Sequence, residues 1–378
     1  MMSRLSELQQ CGQSYWLDNL TRGMIRNGDL KRRIDEEDLR GVTANPSTFA
    51  LALRSGDYDA DIQRLAREGR SSEQIYEQLL VRDVQEACDL FLGSFHASAR
   101  VDGYVSLEVS PHLAHDATGT MREARRFHEL VDRPNLLVKV PGTKAGFLAI
   151  EQLLYEGISV NVTLLFSLPA YEAVIEAYLS ALERRSAERR PLKDVRSVAS
   201  FFLSRIDRLV DQLLIQQDRP SEGRPMSTAL RGRAAVASAK LAYRAFRGAF
   251  SGERWDRLAV KGATLQRPLW ASTGVKDPSY RDVMYVEPLV GADTVNTMPE
   301  QTIRAFADHG EVKPNQIEQG PEEAARTIQD LSRAGIDLRC VSWQLEHEGI
   351  RQFREAFDTA HREVEEKRRL AVSRPAAA

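Results

Sequence analysis

The sequence has few cysteines, no long apolar run and no signal peptide. Its three cysteines, Cys11, Cys88 and Cys340, are scattered and odd in number, with the spacing of neither a disulfide framework nor a zinc site. This pattern favours a reduced, cytoplasmic protein. No apolar stretch approaches the roughly 18 residues of a membrane-spanning helix, and the first ten residues lack the apolar core of a signal peptide. We therefore expect a protein that is neither exported nor inserted into a membrane.

The sequence also lacks net charge and a clear metal-binding pattern. Lysine and arginine number 52 and aspartate and glutamate 54, so the formal net charge is −2. Such a chain has no overall field that would attract nucleic acid or anionic lipid, and a small molecule is the expected partner. Among the seven histidines, His112 and His115 lie near a predicted strand end. A His-x-x-His pair on a loop without a further ligand is a weak metal signal.

Short β-like segments alternate with longer helical patterns along most of the chain, which predicts a parallel sheet. Eight such segments match the number of strands in a closed (β/α)8 barrel, also called a TIM barrel, although a doubly wound open sheet remains possible. The candidate strands are Ser14–Asp18, Gly41–Asn45, Gly103–Val109, Leu136–Val140, Ser159–Thr163, Arg196–Phe202, Pro268–Thr273 and Val283–Val286.

Amphipathic patterns between these segments predict the surrounding helices. Examples are Ile75–Ala97 and a helix that begins after Ser167, where Pro169 suits a first turn. A size-based prior gives two or three domains, but barrels of about 200 to over 400 residues form single domains. We expect one barrel domain over residues 1–367, with additional helices in an insertion at about 218–255 and a disordered tail at 368–378. The insertion begins with a Pro/Gly-rich surface loop, Asp218–Pro225.

Lys139 is a lone cation in the apolar segment Leu136–Val140, and Pro141-Gly142-Thr143 follows directly. Burial disfavours the ammonium form, so a buried lysine can become a neutral amine that attacks a carbonyl carbon and forms a Schiff base. The alternative is structural, because a lysine at a strand end often extends its ammonium group into water. The residues on neighbouring strands must decide between the two.

Polar residues recur on one face of several predicted strands, each time near the carboxyl end. Strand side chains alternate between faces, so polar residues two positions apart share a face. These residues are Asp18, Thr43, Asn45, Ser106, Glu108, Asn161 and Thr163. Any one of them, taken singly, is better explained as a buried residue whose hydrogen bonds are satisfied than as a functional residue. Burying so many polar groups without a function would be costly in free energy. The pattern predicts an active site at the carboxyl ends of the strands, where Glu108 and Asp18 could transfer protons for Schiff-base chemistry.

The sixth predicted strand leads into a phosphate-binding pattern. The segment from Ser200 to Arg205 runs into a helix start and supplies backbone N–H groups, a hydroxyl and a guanidinium. Taken alone, Arg205 could equally be a phosphate ligand or an ordinary surface residue of a helix. Lys276, after the seventh predicted strand, is a second candidate cation.

Two segments, residues 41–47 (Gly-Val-Thr-Ala-Asn-Pro-Ser) and 137–143 (Leu-Val-Lys-Val-Pro-Gly-Thr), resemble the signature segments of the transaldolase family. Segments 16–18, 159–163 and 200–205 resemble the family in the same order. Residues 267–276 and 293–299 resemble its longer bacterial form, so the likeness extends over roughly residues 12–350.

The resemblance implies a class I aldolase-type barrel with no metal or organic cofactor. Such an enzyme moves a dihydroxyacetone unit from a ketose phosphate (sedoheptulose 7-phosphate or fructose 6-phosphate) to an aldose phosphate (glyceraldehyde 3-phosphate or erythrose 4-phosphate). It would serve the pentose phosphate pathway in the cytoplasm. The expected partners are phosphorylated sugars, with neither nucleic acid nor a membrane, and the oligomeric state, monomer or homodimer, stays open.

The resemblance also implies residue roles. Lys139 would form the Schiff base, Glu108 would act through a water molecule in dehydration, and Asp18 would exchange the proton of the C4 hydroxyl. Asn45 and Asn161 would bind the dihydroxyacetone hydroxyls, Thr163 would orient Glu108 and the water, and Ser200 and Arg205 would hold the phosphate. The expected substrate-binding set is Thr43, Asn45, Asn161, Thr163, Ser200, Phe202, Arg205 and Lys276.

One departure from the family pattern lies after the seventh strand. Shorter members carry a second phosphate-binding arginine where this chain reads Ala271-Ser272-Thr273-Gly274, and we hypothesise that Lys276 replaces it. Three alternative functions are a fructose-6-phosphate aldolase, a non-catalytic sugar-phosphate-binding barrel, and an isomerase that uses Glu108 as base. Against the first, such aldolases typically carry glutamine at the position of Glu108 and tyrosine at that of Phe202.

Overall fold

The computed structural model describes residues 3–217 and 226–373, in which eight parallel strands close into a barrel. The strands are β1 (Gln13–Leu17), β2 (Gly41–Thr43), β3 (Tyr104–Glu108), β4 (Leu136–Pro141), β5 (Val160–Leu165), β6 (Ser197–Phe202), β7 (Gln266–Ala271) and β8 (Thr294–Met298). Each strand pairs with the next along the chain, and β8 pairs with β1 from Gln13↔Thr294 to Leu17↔Met298. The predicted (β/α)8 barrel is confirmed, and the open sheet is excluded.

The eighth strand is not where the sequence pattern placed it. Val283–Val286 lies in turns, whereas β8 is Thr294–Met298. Val283 and Val286 are fully buried, so their apolar character reflects packing of a turn rather than a strand. The real strand was overlooked because Thr294 and Asn296 are polar, although both are buried and hydrogen-bonded: Asn296 Nδ2 donates to the Tyr285 carbonyl at 3.0 Å.

Helices surround the barrel and connect its strands. They are α1 (Arg4–Gln10), α2 (Arg22–Arg26), α3 (Asp29–Glu36), α4 (Pro46–Ala52), α5 (Asp59–Arg67), α6 (Ser72–Ala97), α7 (Ala117–Val131), α8 (Lys144–Glu156), α9 (Leu168–Ala187), α10 (Ser204–Gln217), α11 (Met226–Leu230), α12 (Ala234–Ala249), α13 (Gly252–Ala259), α14 (Glu300–His309), α15 (Pro321–Arg333) and α16 (Leu338–Ser373). The two helices predicted as examples are present as α6 and α9. Ser167 caps α9 by accepting a hydrogen bond from the Ala170 backbone N–H at 3.3 Å.

The helical insertion and the carboxyl-terminal tail differ in extent from our expectation. The insertion contains α11, α12 and α13, and its alanine-rich helix α12 packs against α15 and α9 within the chain. The loop predicted at Asp218–Pro225 lies outside the described residues. Helix α16 continues to Ser373, so residues 368–373 are helical where we expected a tail, and 374–378 lie outside the described residues.

In the described part of the chain, no helix is long and apolar enough to cross a membrane.

A buried polar network fills the amino-terminal end of the barrel. The Arg267 guanidinium donates to Asp102 Oδ1 at 2.9 Å and to Ser14 Oγ at 2.7 Å, and Ser14 Oγ donates to the same Asp102 oxygen at 2.6 Å. All three residues are buried. Because buried charges need partners, the pairing of Arg267 with Asp102 balances both charges at this end and leaves the opposite end of the barrel for chemistry.

Helix α16 packs against α4, α5, α6 and α10 and contacts the carboxyl end of the barrel. Gly349 allows this close approach, because a Cβ there would lie 3.0 Å from Leu164 Cδ2 and 3.6 Å from Arg205 Nη1. Further along the helix, Lys367 Nζ donates to the Leu53 carbonyl and to Asp59 Oδ1, both at 2.6 Å. The last long helix is therefore fixed to the first third of the chain.

Candidate active site

The carboxyl ends of the strands surround one cavity, and the predicted site residues converge there. The predicted residues that line it are Asp18, Thr43, Asn45, Lys139, Ser200, Phe202, Arg205 and Lys276. The other three, Glu108, Asn161 and Thr163, lie on β3 and β5, the neighbours of β4, and the strand register pairs Glu108 and Asn161 with Lys139. The alternation of polar residues along the strands therefore led to one site rather than to separate surfaces.

Lys139 is buried beside Glu108. Its side chain is 5% exposed, and Nζ lies 3.2 Å from Glu108 Oε2, so the ammonium group does not extend into water as the structural alternative required. The distance suits an ion pair, yet neither Glu108 oxygen receives a well-formed hydrogen bond from a described residue. Burial raises the pKa of Glu108, and the nearby Lys139 partly opposes the shift. A carboxyl group with a raised pKa holds a proton more readily than an exposed glutamate does, which suits a group that transfers protons.

Asn161 is held by hydroxyl groups of β3 and β6. Its Nδ2 donates to Ser106 Oγ at 3.0 Å, and Ser200 Oγ donates to its Oδ1 at 2.7 Å. The Ser200 hydroxyl therefore orients the Asn161 amide in this structure. Thr163 Oγ1 is buried without a partner among the described residues, as the Glu108 oxygens are. Buried polar atoms of this kind are typically satisfied by water or by a ligand.

Asp18 receives hydrogen bonds from two residues of the β2 end. Thr43 Oγ1 donates to Asp18 Oδ1 at 2.9 Å, and Asn45 Nδ2 lies 3.4 Å from the same oxygen. Asn45 Oδ1 accepts from the backbone N–H groups of Ser47 and Thr48 at the start of α4, which fixes the orientation of the amide. Both side-chain contacts end on Oδ1, so Asp18 Oδ2 is the oxygen available for proton transfer.

Arg205 lies between two aromatic rings without an acidic partner. Its Cζ is 5.7 Å from the Phe202 ring centre and 5.9 Å from that of Phe353, within reach of a cation–π attraction. Among the described residues, no group forms a hydrogen bond or ion pair with its guanidinium. Burial, reinforced by Arg208, lowers its pKa, but an arginine stays charged. A partly buried, unpaired guanidinium is suited to bind a phosphate.

Lys276 is an exposed residue on the rim of the same cavity. No acidic residue in the described ranges forms an ion pair with it. Gly274 leaves space beside it, since a Cβ at that position would lie 3.7 Å from Lys276 Nζ. The cavity therefore has cations at its rim as well as the buried Lys139.

Several cavity residues were not identified from the sequence. They are Ser47, Thr48, Ala271, Ser272, Gly274, Thr297, Pro299 and Phe353. Thr297 lies near the carboxyl end of β8, on the opposite face from Thr294 and Asn296, so a correct assignment of that strand would have drawn attention to it. Ser272 has a positive φ of 54°, uncommon for serine, and its Oγ lies 2.9 Å from Ser204 Oγ. No local sequence pattern identifies Phe353 as a site residue, because it belongs to an amphipathic helix, α16, that begins at Leu338, well after the last strand ends at Met298.

The His-x-x-His pattern does not form a metal-binding group. His112 Nε2 lies 2.7 Å from Asp358 Oδ1 of α16, and the ring of His115 lies 6.2 Å from that of His347. Within residues 3–217 and 226–373, no cluster of three or more histidine, cysteine or acidic side chains could hold a metal ion.

Comparison with known proteins gives consistent matches along the chain. Residues 15–364 match the sequence family described as Transaldolase/Fructose-6-phosphate aldolase. A Transaldolase of Thiobacillus denitrificans is 48% identical over 357 residues, which are 94% of this chain and 98% of that protein. Transaldolase 2 of a Nostoc species is 43% identical, covering 98% of both chains, and a Transaldolase of Saccharopolyspora erythraea is 45% identical, covering 97% and 98%. The family match begins within β1, includes β2 to β8, and ends within α16.

Proposed function

Because the chain belongs to the transaldolase/fructose-6-phosphate aldolase family, we propose that it is a transaldolase that acts through a Schiff base on Lys139. It transfers a dihydroxyacetone unit from sedoheptulose 7-phosphate or fructose 6-phosphate to glyceraldehyde 3-phosphate or erythrose 4-phosphate. The observation that carries the proposal is the contact between buried Lys139 and Glu108 in a cavity bordered by the unpaired Arg205. The pentose phosphate pathway and the cytoplasm are its predicted setting.

The first stage is formation of the Schiff base. The Lys139 amine attacks the keto carbon of the donor, and the carbinolamine then loses water to give an iminium ion. This stage needs a group that moves protons between nitrogen and oxygen. Glu108 does so through a water molecule that Thr163 orients, and its raised pKa matches that task. The unpartnered Thr163 hydroxyl and Glu108 oxygens support this assignment.

The second stage is cleavage of the C3–C4 bond. Asp18 removes the proton of the C4 hydroxyl, the bond breaks, and its electron pair passes into an enamine on Lys139 while the aldose phosphate leaves. Thr43, Asn45 and Asn161 hold the hydroxyls of the dihydroxyacetone unit. Addition of the enamine to the acceptor aldehyde reverses these steps, and water then releases the new ketose phosphate.

The phosphate group binds at the rim of the cavity. Arg205 is its main ligand and Lys276 the second, whereas Ser200 serves to orient Asn161, to which it donates its proton. Replacement of Lys276 by alanine should raise the KM for phosphorylated substrates and leave trapping of the Schiff base nearly unchanged. Lys261→Ala is a suitable control, because Lys261 is an exposed lysine in the turn before β7. A normal KM in Lys276→Ala would disprove this assignment.

Fructose-6-phosphate aldolase activity is not favoured. The Phe202 ring lines the cavity and offers no hydroxyl group to protonate the enamine, so an aldehyde is the preferred acceptor. A non-catalytic sugar-phosphate-binding barrel is likewise disfavoured, because binding alone does not explain a lysine buried against a carboxylate.

Reduction with borohydride tests the proposal. In the presence of fructose 6-phosphate, reduction should leave a covalent dihydroxyacetone adduct on the peptide that contains Lys139, as seen by mass spectrometry. The Lys139→Met variant should give no adduct. An unmodified Lys139 in the native protein would instead favour an isomerase in which Glu108 is the base and Lys139 only an electrostatic partner.

A further inference from the structure

Phe353 reaches the active-site cavity from α16, a helix that follows all eight strands. Its ring centre lies 5.9 Å from Lys139 Nζ and 5.9 Å from Arg205 Cζ, so the ring contacts the region between the Schiff-base nitrogen and the phosphate ligand. The residue lines the cavity although only 5% of its surface is exposed. A substrate that joins Lys139 to Arg205 must therefore pass this ring.

The position of Phe353 is fixed by contacts on the same face of α16. Gly349 is one turn earlier on that face and lets the helix approach Leu164 and Arg205. Leu164 has a φ of 60°, at a point where the β5–β6 register shifts. A non-glycine residue in this conformation costs roughly 1–3 kcal/mol and persists only where its surroundings hold it. The barrel thus places a strained residue where the helix that carries Phe353 is packed.

Phe357, one turn later, anchors the helix without entering the cavity. Its ring lies 5.4 Å from the ring of Tyr76 on α6 and 4.4 Å from that of His361. It is not among the residues that line the cavity. Phe357 therefore provides a matched control: a phenylalanine with the same helix-docking role but no contact with the reacting groups.

The proposed transaldolase reaction has a stage at which water is harmful. After the aldose phosphate leaves, the enamine on Lys139 must wait for an acceptor aldehyde. If its C3 takes a proton first, the resulting iminium adds water at C2, the C–N bond breaks, and dihydroxyacetone leaves while the Lys139 amine is restored. The proton taken up at carbon is returned when water adds and the amine is restored, so the route consumes one water molecule overall, needs no oxidant, and turns a transferase into an aldolase.

We propose that Phe353 shields the Lys139 enamine from water and so determines the ratio of transfer to release. The proposal rests on the transaldolase function stated above. An apolar ring near Lys139 displaces water and has no proton to give, so it disfavours both protonation of the enamine and the addition of water. Phe353 is thus a positioning residue that protects the intermediate, distinct from the groups that move protons.

The test compares Phe353→Ala, Phe353→Leu and Phe357→Ala. Each variant is given fructose 6-phosphate with and without erythrose 4-phosphate, and free dihydroxyacetone and sedoheptulose 7-phosphate are measured. Phe353→Ala should raise the ratio of release to transfer about tenfold, a change that corresponds to about 1.4 kcal/mol. Borohydride trapping at Lys139 should persist. Phe353→Leu, which keeps an apolar group there, should raise the ratio only about twofold.

An unchanged ratio in Phe353→Ala would overturn the proposal, as would an equal rise in Phe357→Ala, because the second result would mean that loosening of α16 is sufficient. If Phe353→Ala does not fold, Phe353→Leu decides by whether its ratio rises above that of Phe357→Ala. Failure of the transaldolase function itself is recognised separately, since the unaltered protein would then give neither a Lys139 adduct nor sedoheptulose 7-phosphate.

Discussion

The buried carboxyl group of Asp207 should make the stability of the fold depend on pH near neutrality. Asp207 is 1% exposed and lies on α10, two residues after Arg205. Its Oδ1 accepts a hydrogen bond from the Ala235 backbone N–H at 2.8 Å, at the start of α12, and its Oδ2 accepts from the Tyr285 hydroxyl at 2.9 Å. Burial raises its pKa to about 7, although these hydrogen bonds oppose the shift.

The size of the effect follows from proton binding. An aspartate in the unfolded chain titrates near 3.8, so between that pH and about 7 the folded protein holds one proton more than the unfolded chain. The free energy of unfolding then falls by about 1.4 kcal/mol per pH unit, or of order 4 kcal/mol in total. The contribution of Asp207 is fully present below about pH 4 and is lost as the pH rises through 7. Asparagine at this position has no such proton to lose.

Urea unfolding of the native protein and Asp207→Asn at pH 5, 6, 7 and 8 measures this contribution. The difference in unfolding free energy at each pH cancels the other titrating groups, and the advantage of the native protein should decrease by about 3 kcal/mol from pH 5 to 8. Asp277→Asn is the control, because Asp277 is exposed and hydrogen bonds from Ser279 lower its pKa. Its difference should be constant over this range. A constant difference for Asp207→Asn as well would show that Asp207 is ionised in the fold, and the reasoning would be wrong.

Three further predictions concern the site and its support. Glu108→Gln should lower kcat about 100-fold or more with little change in KM for the phosphorylated substrates, because proton transfer is lost while phosphate binding is retained; steady-state kinetics with an unchanged kcat would contradict its role. Arg267→Leu should lower the free energy of unfolding by about 3–5 kcal/mol, since Asp102 loses its buried partner, and adding Asp102→Leu should restore much of it; equal stability of the single variant and the native protein in urea would count against the network. Gly146→Ala should lower Tm strongly, because its Cβ would lie 1.9 Å from a backbone oxygen, whereas Gly93→Ala, with no atom within 4 Å, should raise Tm slightly; the same sign for both would refute the packing argument.

The barrel and most of the site could be predicted from sequence because one physical rule connects them. Parallel strands are buried on both faces, so a polar residue near a strand end is exceptional, and a closed barrel brings all such ends together. Lys139, Glu108 and Asn161 each satisfied that rule, and the structure places them in register on neighbouring strands. Asp18 and Asn45 followed from the same pattern.

The features that sequence did not reveal depend on tertiary contacts. Strand β8 is polar because Thr294 and Asn296 donate hydrogen bonds to backbone carbonyls of the segment that precedes the strand, which an apolar pattern cannot indicate. Ser200 was expected to hold phosphate, which stays a prediction, and its hydrogen bond to Asn161, a residue 39 positions away, had no local signal in the sequence. Phe353 enters the cavity only because α16 lies against it, and no local pattern predicts where a surface helix will dock.

The attachment of α16 has a consequence for the order in which the enzyme becomes active. The contacts of Lys367 with Leu53 and Asp59 join residues more than 300 positions apart, and contacts of such long sequence separation form late in folding. During synthesis, all eight strands leave the ribosome before Phe353 does. A barrel formed at that stage would already hold Lys139 and Glu108, and on the proposed mechanism it would form a Schiff base before Phe353 shields the intermediate. On that proposal, docking of the last long helix is the step at which a reactive barrel becomes a transferase.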